Sequence, residues 1–319
     1  MAWTTSGAPT QAALRLRFGA LSLLWGLNWL PIKLGSMAMP PSMFAGTRFA
    51  ASGLLLLLAA RLIGESPWPL RPSDGRGMLF RLGLASVLMV TLTYGPMFWG
   101  IQFVPSSLAG VVVNASTPLG LLFFSLLFRI ESPSRSQILP ILLGLLGLGL
   151  IFRSSMDLPG GTTSAWGLAA ILSGTLFYCL GTLLCQPLMA GRSPLAVGGT
   201  INLAGGVCQI AWAAATEPGE LAALSALTQP VILGSWVYLL VFSSGIAFAL
   251  YLNLLKYWSP SRVGAYAFVS PVVAVAVGWL LAEETPSVLD ILGMTLMLSS
   301  AGLTIWRRFP VDPHRAKKL

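Results

Sequence analysis

The chain has 319 residues, of which 55% are hydrophobic and only 9% are charged. Its mean hydropathy of +0.79 lies far outside the range of soluble proteins, in which about a quarter of residues are charged. Composition therefore excludes the soluble classes and predicts a membrane protein. The formal net charge of +9 does not indicate nucleic-acid binding, because the basic residues fall at helix ends and in tails instead of on one folded face.

Long unbroken apolar runs alternate with turn-forming segments along the chain. A helix needs roughly 20 apolar residues to cross the bilayer, whereas the strands of a β-barrel show alternating residues in segments of roughly ten. Runs such as Leu54 to Leu58 do not alternate, so we predict an all-α membrane protein with ten transmembrane helices. The predicted segments are residues 16–36, 43–64, 78–103, 106–128, 136–153, 164–189, 194–215, 231–256, 260–282 and 287–306.

Basic residues are concentrated on one side of this arrangement. With the N-terminus placed in the cytoplasm, sixteen Lys and Arg residues fall in cytoplasmic segments and only Arg153 falls on the opposite side. Lys33 and Arg48 are left inside or near the ends of helices. Because positive charge in short connections sets orientation, we predict a multi-pass protein with both termini in the cytoplasm.

An internal repeat is visible in the sequence, since a shift of 153 residues aligns the two halves without a gap. Each repeat carries five crossings, and an odd number makes the second copy begin on the opposite side of the membrane. We therefore predict two inverted five-helix repeats, at 16–153 and 154–306, between a tail at 1–15 and a basic tail at 307–319. Inverted repeats are typical of transporters. The matched pairs include Pro41 and Pro194, Gly46 and Gly199, Gly53 and Gly206, Pro118 and Pro271, and Glu131 and Glu284.

Polar and aromatic side chains within the predicted helices are candidates for a transport path, because polar groups in lipid are costly unless they face protein or a water-filled cavity. Trp25, Asn28 and Lys33 share roughly one stripe of helix one, and the repeat shift places Tyr178 of helix six opposite Trp25. For any single ring the alternative is lipid contact or core packing. The predicted substrate-binding residues are Trp25, Asn28, Lys33, Arg48, Tyr94, Phe98, Trp99, Gln102, Asn114, Tyr178, Ser244, Tyr251 and Asn253.

Prolines inside three predicted helices are expected to change helix geometry. Pro96 lacks a backbone donor and should bend helix three and expose a carbonyl. Pro118 in helix four and its counterpart Pro271 in helix nine are expected to present freed carbonyls toward the centre, although helix-to-helix hydrogen bonding is an equal alternative for the polar groups beside them. Asn202 in helix seven is expected to serve close packing.

Charge inside the membrane is the most discriminating feature. The middle of each predicted helix lacks Asp and Glu, whereas Lys33 and Arg48 lie near the outer ends of helices one and two. Carriers of organic cations usually need an embedded carboxylate, so the pattern argues against proton-driven cation efflux. The two cationic side chains are expected to meet a substrate carboxylate by charge-assisted hydrogen bonding, with snorkelling to lipid headgroups as the alternative.

Several motifs carry a resemblance to a known family. They are Leu-Leu-Trp-Gly-Leu-Asn-Trp in helix one, Thr-Arg-Phe-Ala-Ala in helix two, and Ser-Thr-Pro-Leu and Val-Ser-Pro-Val in helices four and nine. With the five-plus-five arrangement, they resemble the EamA type of the drug/metabolite transporter superfamily, and among its members the bacterial aromatic amino-acid exporters of the YddG type. The resemblance implies a ten-helix carrier of the bacterial inner membrane, with a cavity lined by helices one, three, four, six, eight and nine.

Together with the resemblance, these observations predict export of small metabolites, namely amino acids including aromatic ones, by alternating access. The sequence lacks a phosphate-binding loop, so transport without ATP, an ATPase partner or a cofactor is expected. Two alternatives are a proton-coupled multidrug efflux carrier and an exchanger of phosphorylated or nucleotide-linked sugars. An enzyme is not predicted, because the single histidine, His314, lies in the basic tail and no metal site is indicated. The expected partners are a small-molecule substrate and the lipid bilayer, without nucleic acid, and the chain is compatible with a monomer.

Overall fold

In a computed structural model of the protein, the structure describes residues 9–71, 73–103, 106–131, 137–151, 161–217, 222–282 and 288–306. Within these ranges all regular secondary structure is helical. The α-helices are α1 (Gln11–Gly26), α2 (Trp29–Ala38), α3 (Pro41–Leu62), α4 (Arg76–Ser86), α5 (Leu92–Ile101), α6 (Ser106–Leu127), α7 (Ile138–Ile151), α8 (Gly161–Cys185), α9 (Pro194–Thr216), α10 (Pro230–Tyr238), α11 (Phe248–Leu255), α12 (Pro260–Gly264), α13 (Tyr266–Ala282) and α14 (Val288–Trp306).

Each of the ten predicted segments overlaps one or more of these helices, which confirms the all-helical class. Among the described residues, five helical stretches are long and apolar enough to cross a membrane, and they begin at Pro41, Arg76, Ala165, Pro194 and Pro230. The other apolar helices are shorter, so the full count of ten crossings stays a prediction. Arg153, Glu284 and the basic tail lie outside the described residues.

The first predicted helix is divided in two. The segment expected to be continuous over 16–36 forms α1 and α2, which meet at a turn over Leu27 and Asn28. Pro31 explains the break, because its nitrogen has no hydrogen to donate to the Leu27 carbonyl and its ring clashes with that carbonyl in a regular helix. The break places Asn28 at the point where the two helices join.

Two π-helical segments interrupt the helices predicted at 78–103 and 231–256. One spans Val87–Thr91 between α4 and α5, and the other spans Leu239–Ala247 between α10 and α11. The repeat shift of 153 places the first segment on residues 240–244, inside the second. The bend expected at Pro96 is therefore preceded by a π segment, and the second π segment contains no proline, so proline alone does not explain either irregularity. Such segments occur frequently at functional sites.

Helices α3 and α9 occupy equivalent places in the two predicted repeats and pack against each other in opposite directions. A Cβ atom added to Gly53 would lie 2.4 Å from the Leu203 nitrogen, and one added to Gly206 would lie 2.4 Å from the Ala50 nitrogen. The later residue on α3, Gly53, thus meets the earlier residue on α9, Leu203, whereas the earlier Ala50 meets the later Gly206, so the two helices run antiparallel. The two backbones approach so closely that only glycine fits at this seam.

A second equivalent pair, α7 and α14, has the same antiparallel relation. The Ser300 hydroxyl donates to the Pro140 carbonyl. A Cβ atom on Gly147 would lie 2.6 Å from the Gly293 carbonyl oxygen. Two pairs of equivalent helices therefore run in opposite directions, which is the relation expected of inverted repeats.

Replacing Gly53 with alanine is expected to destabilise the protein, because the added methyl would overlap the α9 backbone. Overpacking of this kind costs about 1–3 kcal/mol, so the detergent-solubilised variant should melt several degrees below the wild type. Gly83→Ala is the matched control, since Gly83 is helical and has no atom within 4 Å of an added Cβ. Equal melting temperatures for the two variants would contradict the close α3–α9 seam.

Candidate functional site

A cavity of about 170 Å³ lies at the centre of the helices. The six predicted helices that the resemblance implies, namely one, three, four, six, eight and nine, all contribute to its wall. Phe49 of α3 and Asn202 of α9, which correspond to predicted helices two and seven, add to it. The wall combines rings with hydroxyl and amide groups, and no acidic side chain of the described residues lines it. Seven of the predicted substrate-binding residues lie on this wall, namely Trp25, Asn28, Tyr94, Phe98, Asn114, Tyr178 and Ser244.

Two predicted residues of the segment 78–103 are not brought to the cavity. Trp99 is 49% exposed and packs edge-on against Phe103. It follows Phe98 by one residue, which turns it about 100° away from the face that carries Tyr94 and Phe98. Gln102 is one turn beyond Phe98 but lies past the end of α5, where its side chain is exposed.

Three further residues predicted to bind substrate, Tyr251, Asn253 and Lys33, are not found on the described wall of the cavity. Tyr251 is fully buried and lies behind the cavity wall, and Asn253 lines a separate pocket. The Lys33 side chain lies outside the described part of the structure. Its predicted contact with substrate therefore stays a prediction.

The second π segment is the polar centre of the cavity. The Asn28 side-chain amide donates to the Ser243 hydroxyl at 2.7 Å, and the Trp25 indole donates to the Ser243 carbonyl at 3.4 Å. The Asn202 amide donates to the Ser244 carbonyl at 2.7 Å. In an α-helix a carbonyl is occupied by the backbone donor four residues later, so the irregular backbone here presents carbonyls to side chains of other helices.

Arg48 is buried in α3, with only 2% of its surface exposed. The position is seven residues after the helix start, about 10 Å along its axis, and the side chain does not extend to an interface as snorkelling would require. Its guanidinium carbon lies 4.6 Å from the Phe49 ring centre and 5.6 Å from the Tyr94 ring centre. No acidic side chain of the described residues lies within ion-pair distance of it. A positive charge without a described counter-charge therefore lies directly behind two residues of the cavity wall.

Four rings form a layer at one end of the cavity, which we call the aromatic layer: Trp25, Tyr178, Tyr251 and Tyr266. The Trp25 ring centre lies 5.3 Å from that of Tyr251 and 4.5 Å from that of Tyr266, and the Tyr178 and Tyr251 centres are 5.8 Å apart. The hydroxyls of Tyr251 and Thr182 are 2.8 Å apart, within hydrogen-bond distance. These contacts connect α1, from the first predicted repeat, with α8, α11 and α13 from the second.

A larger pocket of about 560 Å³ lies on the other side of this layer, at the arginine-rich end of the helices. Asn253 lines this pocket and accepts a hydrogen bond from the Arg17 guanidinium at 2.7 Å. Phe248, one turn before Tyr251, lines the central cavity instead. The aromatic layer therefore lies between the two cavities.

An ion pair at this end joins the two predicted repeats. The Arg192 guanidinium lies 2.6 Å from the Asp74 carboxylate, with side chains that are 7% and 12% exposed. Arg192 and the Arg71 backbone N–H hold the pKa of the Asp74 carboxyl below its usual value. Because a lowered folded-state pKa keeps a carboxylate ionised, the ion pair is present at neutral pH and is lost only as the pH falls through that lowered value.

Sequence reasoning missed several wall residues. Tyr266 lies inside the helix predicted at 260–282 and was not among the predicted site residues, whereas in the structure α12 ends before it and α13 begins with it. Asn202 was expected to serve only packing, yet it also lines the cavity. Ser243 adjoins the predicted Ser244, and its signal is the Ser-Ser-Gly run, which is unusual inside an apolar helix. Both serines lie in the π segment and line the cavity.

Comparison with known proteins agrees with this architecture. A profile of the EamA-like transporter family matches residues 18–153 and again residues 165–306. The uncharacterized inner membrane transporter YedA of Escherichia coli (strain K12) is 34% identical over 302 residues, which cover 92% of each chain. A probable amino-acid metabolite efflux pump of the same organism is 23% identical, over 91% of this chain and 96% of that protein.

A solved structure described as "Crystal structure of protein" has the same fold, with a TM-score of 0.74 and 17% sequence identity over 92% of this chain and 98% of that chain. The family profile accounts for most of the sequence, and it matches once in each of the two predicted repeats. The chain therefore belongs to the EamA-like transporter family and is a membrane transporter rather than an enzyme.

Proposed function

We propose that the protein exports small neutral or zwitterionic metabolites, including aromatic amino acids, across the bacterial inner membrane by alternating access without ATP. The observation that carries this proposal is the composition of the cavity wall. Rings and uncharged polar groups line it, no described carboxylate is present to attract an organic cation, and Arg48 lies behind it. Such a wall favours a substrate with an apolar side chain and a carboxylate.

Two inverted halves supply the mechanical basis of the proposal. Support comes from the two matches of the family profile, from the antiparallel packing of α3 with α9 and of α7 with α14, and from the π segments at equivalent positions. Halves of the same fold in opposite orientations can exchange conformations, which opens a central site to each side in turn. In this scheme both termini are cytoplasmic, as the distribution of arginine and lysine favours.

The aromatic layer acts in this scheme as the cytoplasmic gate. It lies between the central cavity and the arginine-rich pocket, and the Asp74–Arg192 ion pair holds the two repeats together beyond it. For a substrate to enter from the cytoplasm, the rings of α1 and α13 have to separate from those of α8 and α11. The pocket at the arginine-rich end would then be continuous with the cavity.

The ring-rich wall supports specificity of the YddG type for aromatic substrates. Trp25, Tyr94, Phe98, Tyr178 and Tyr266 all contribute rings to the cavity. Ring pairs gain about 0.5–1.5 kcal/mol beyond the burial of their area. Aromatic amino acids are therefore expected to bind more tightly than threonine.

The test is a flux measurement on purified protein in liposomes, using labelled phenylalanine, labelled threonine and a quaternary ammonium dye, each with and without a pH gradient. We expect saturable phenylalanine flux that follows its own gradient, weaker threonine flux and no dye transport. Dye transport that depends on protons would support multidrug efflux instead, and phosphate-dependent sugar-phosphate exchange in the same vesicles would support the exchanger. Either result without amino-acid flux would overturn the proposal.

A further inference from the structure

Three buried side-chain oxygens at the cavity have no hydrogen-bond partner among the described residues. They are the Asn28 Oδ1, the Asn202 Oδ1 and the Ser244 Oγ atoms. Asn202 is fully buried and Ser244 is 3% exposed, and all three residues line the cavity. Buried polar atoms are nearly always paired in proteins, so a cluster of unpaired oxygens on a cavity wall indicates a ligand that donates hydrogen bonds.

The orientation of the Asn202 amide is fixed by its partner. Its nitrogen faces the Ser244 carbonyl, which can only accept a hydrogen bond. The amide oxygen is therefore the atom without a partner, and it is an acceptor. The Asn28 amide nitrogen is placed 2.7 Å from the Ser243 hydroxyl, a group that can donate or accept a hydrogen bond. In this orientation the Asn28 Oδ1 atom is a second acceptor without a partner, and the free oxygens of both amides then require donors.

The three oxygens converge on the second π segment. Asn202 contacts the Ser244 backbone, Asn28 contacts the adjacent Ser243 side chain, and Ser244 contributes its own hydroxyl. A primary ammonium group has three N–H donors and no acceptor. The number and the type of the unpaired atoms match such a group, and the described wall provides no carboxylate to take that role.

Arg48 places a positive charge behind the same wall that carries the unpaired oxygens. The Asn202 amide nitrogen lies 3.5 Å from the Ser52 hydroxyl, and Ser52 follows Arg48 by one turn on the same face of α3. Arg48 thus lies one helical turn along α3 from Ser52, the residue that contacts the Asn202 amide, and its guanidinium lies beside the wall residues Phe49 and Tyr94. This polarity is complementary to a zwitterion, whose carboxylate and ammonium are joined through a single carbon.

We propose that Asn28, Asn202 and Ser244 bind the α-ammonium group of the substrate through uncharged oxygens at the second π segment, and that these residues select amino acids over carboxylic acids of the same shape. The inference rests on the proposed function, because it orients the amino-acid substrate in the same cavity. Uncharged acceptors bind an ammonium without leaving an uncompensated buried charge, as a carboxylate would when the carrier returns empty.

Ser244→Ala is the variant that tests the proposal, because the Ser244 hydroxyl has no partner to lose in the folded protein. Phenylalanine flux into liposomes is measured with phenethylamine, which lacks the carboxylate, and hydrocinnamate, which lacks the ammonium, as competitors. We expect the variant to raise the KM for phenylalanine and the inhibition constant of phenethylamine by roughly tenfold. The inhibition constant of hydrocinnamate is expected to stay unchanged.

Ser235→Ala is the matched control, since Ser235 is buried in the same run of helices but bonds within α10 and does not line the cavity. An equal effect of Ser244→Ala on both competitors, or no effect on either, would overturn the ammonium site while leaving amino-acid transport in place. Sodium-dependent flux that Ser244→Ala abolishes would assign the oxygens to a metal cation and would also overturn it. Absence of phenylalanine flux in the wild type would overturn the proposed function itself, and the ammonium site with it.

Discussion

Arg48→Gln is expected to reduce transport of phenylalanine by at least about tenfold while leaving the melting temperature unchanged or higher. The guanidinium is buried behind Phe49 and Tyr94 without a described acidic partner. An unpaired charge in a low-dielectric site is unfavourable for stability but attracts an anionic group strongly. Glutamine keeps much of the length and some of the donors, yet it removes the positive charge.

The measurement is phenylalanine counterflow in liposomes, together with thermal unfolding of the purified variant. Arg61→Gln is the control, because Arg61 lies in the last turn of the same helix and is exposed. Competition by phenethylamine should survive in Arg48→Gln, since this amine has no carboxylate for the guanidinium to attract. A parallel loss of stability and of both ligands would instead make Arg48 a structural residue.

Cysteines placed at equivalent positions of the two repeats are expected to react from opposite sides of the membrane. Gly75 and Thr228 are separated by the repeat shift of 153, and both are exposed in connections between helices. In intact cells an impermeant maleimide should label Thr228→Cys and leave Gly75→Cys unlabelled. The contrast should be nearly complete, because an odd number of crossings in each repeat places the two sites in different compartments.

The labelling background requires removal of Cys208, which is exposed, whereas Cys179 and Cys185 are buried. Inside-out vesicles provide the reciprocal experiment, in which Gly75→Cys should be labelled from the outer solution and Thr228→Cys should not. Reaction of both positions from the same side would mean that the repeats are parallel, and the basis for alternating access would be lost.

Much of the fold could be predicted from the chain because lipid imposes simple rules. Apolar runs of bilayer length have to be helical, and all ten predicted segments overlap helices. Local irregularities were harder to predict. The break at Leu27 and Asn28 has a cause in the sequence, Pro31. The π segment at Leu239–Ala247 contains no proline, and Asn28 and Asn202 from other helices contact it.

The site could be predicted only in part, because helices that are apolar on all sides give no periodic signal for the face that turns inward. Tyr94 and Trp99 had equal standing in the sequence, but only Tyr94 lies on the cavity wall. Arg48 was placed near a helix end, whereas the structure buries it beneath two rings. Its depth depends on how α3 packs against α5 and α9, which no single segment specifies.

The aromatic layer has a consequence for the energy balance of the cell. Tyr251, at its centre, is inaccessible to water, and apolar constrictions in membrane proteins stop conduction by excluding a continuous file of water molecules. In this conformation a ring that water does not reach therefore lies between the central cavity and the arginine-rich pocket. If this layer is the gate of the proposed exporter, the closed state would let the organism keep many copies in its membrane without dissipating the electrochemical gradient that drives its other pumps and its ATP synthesis.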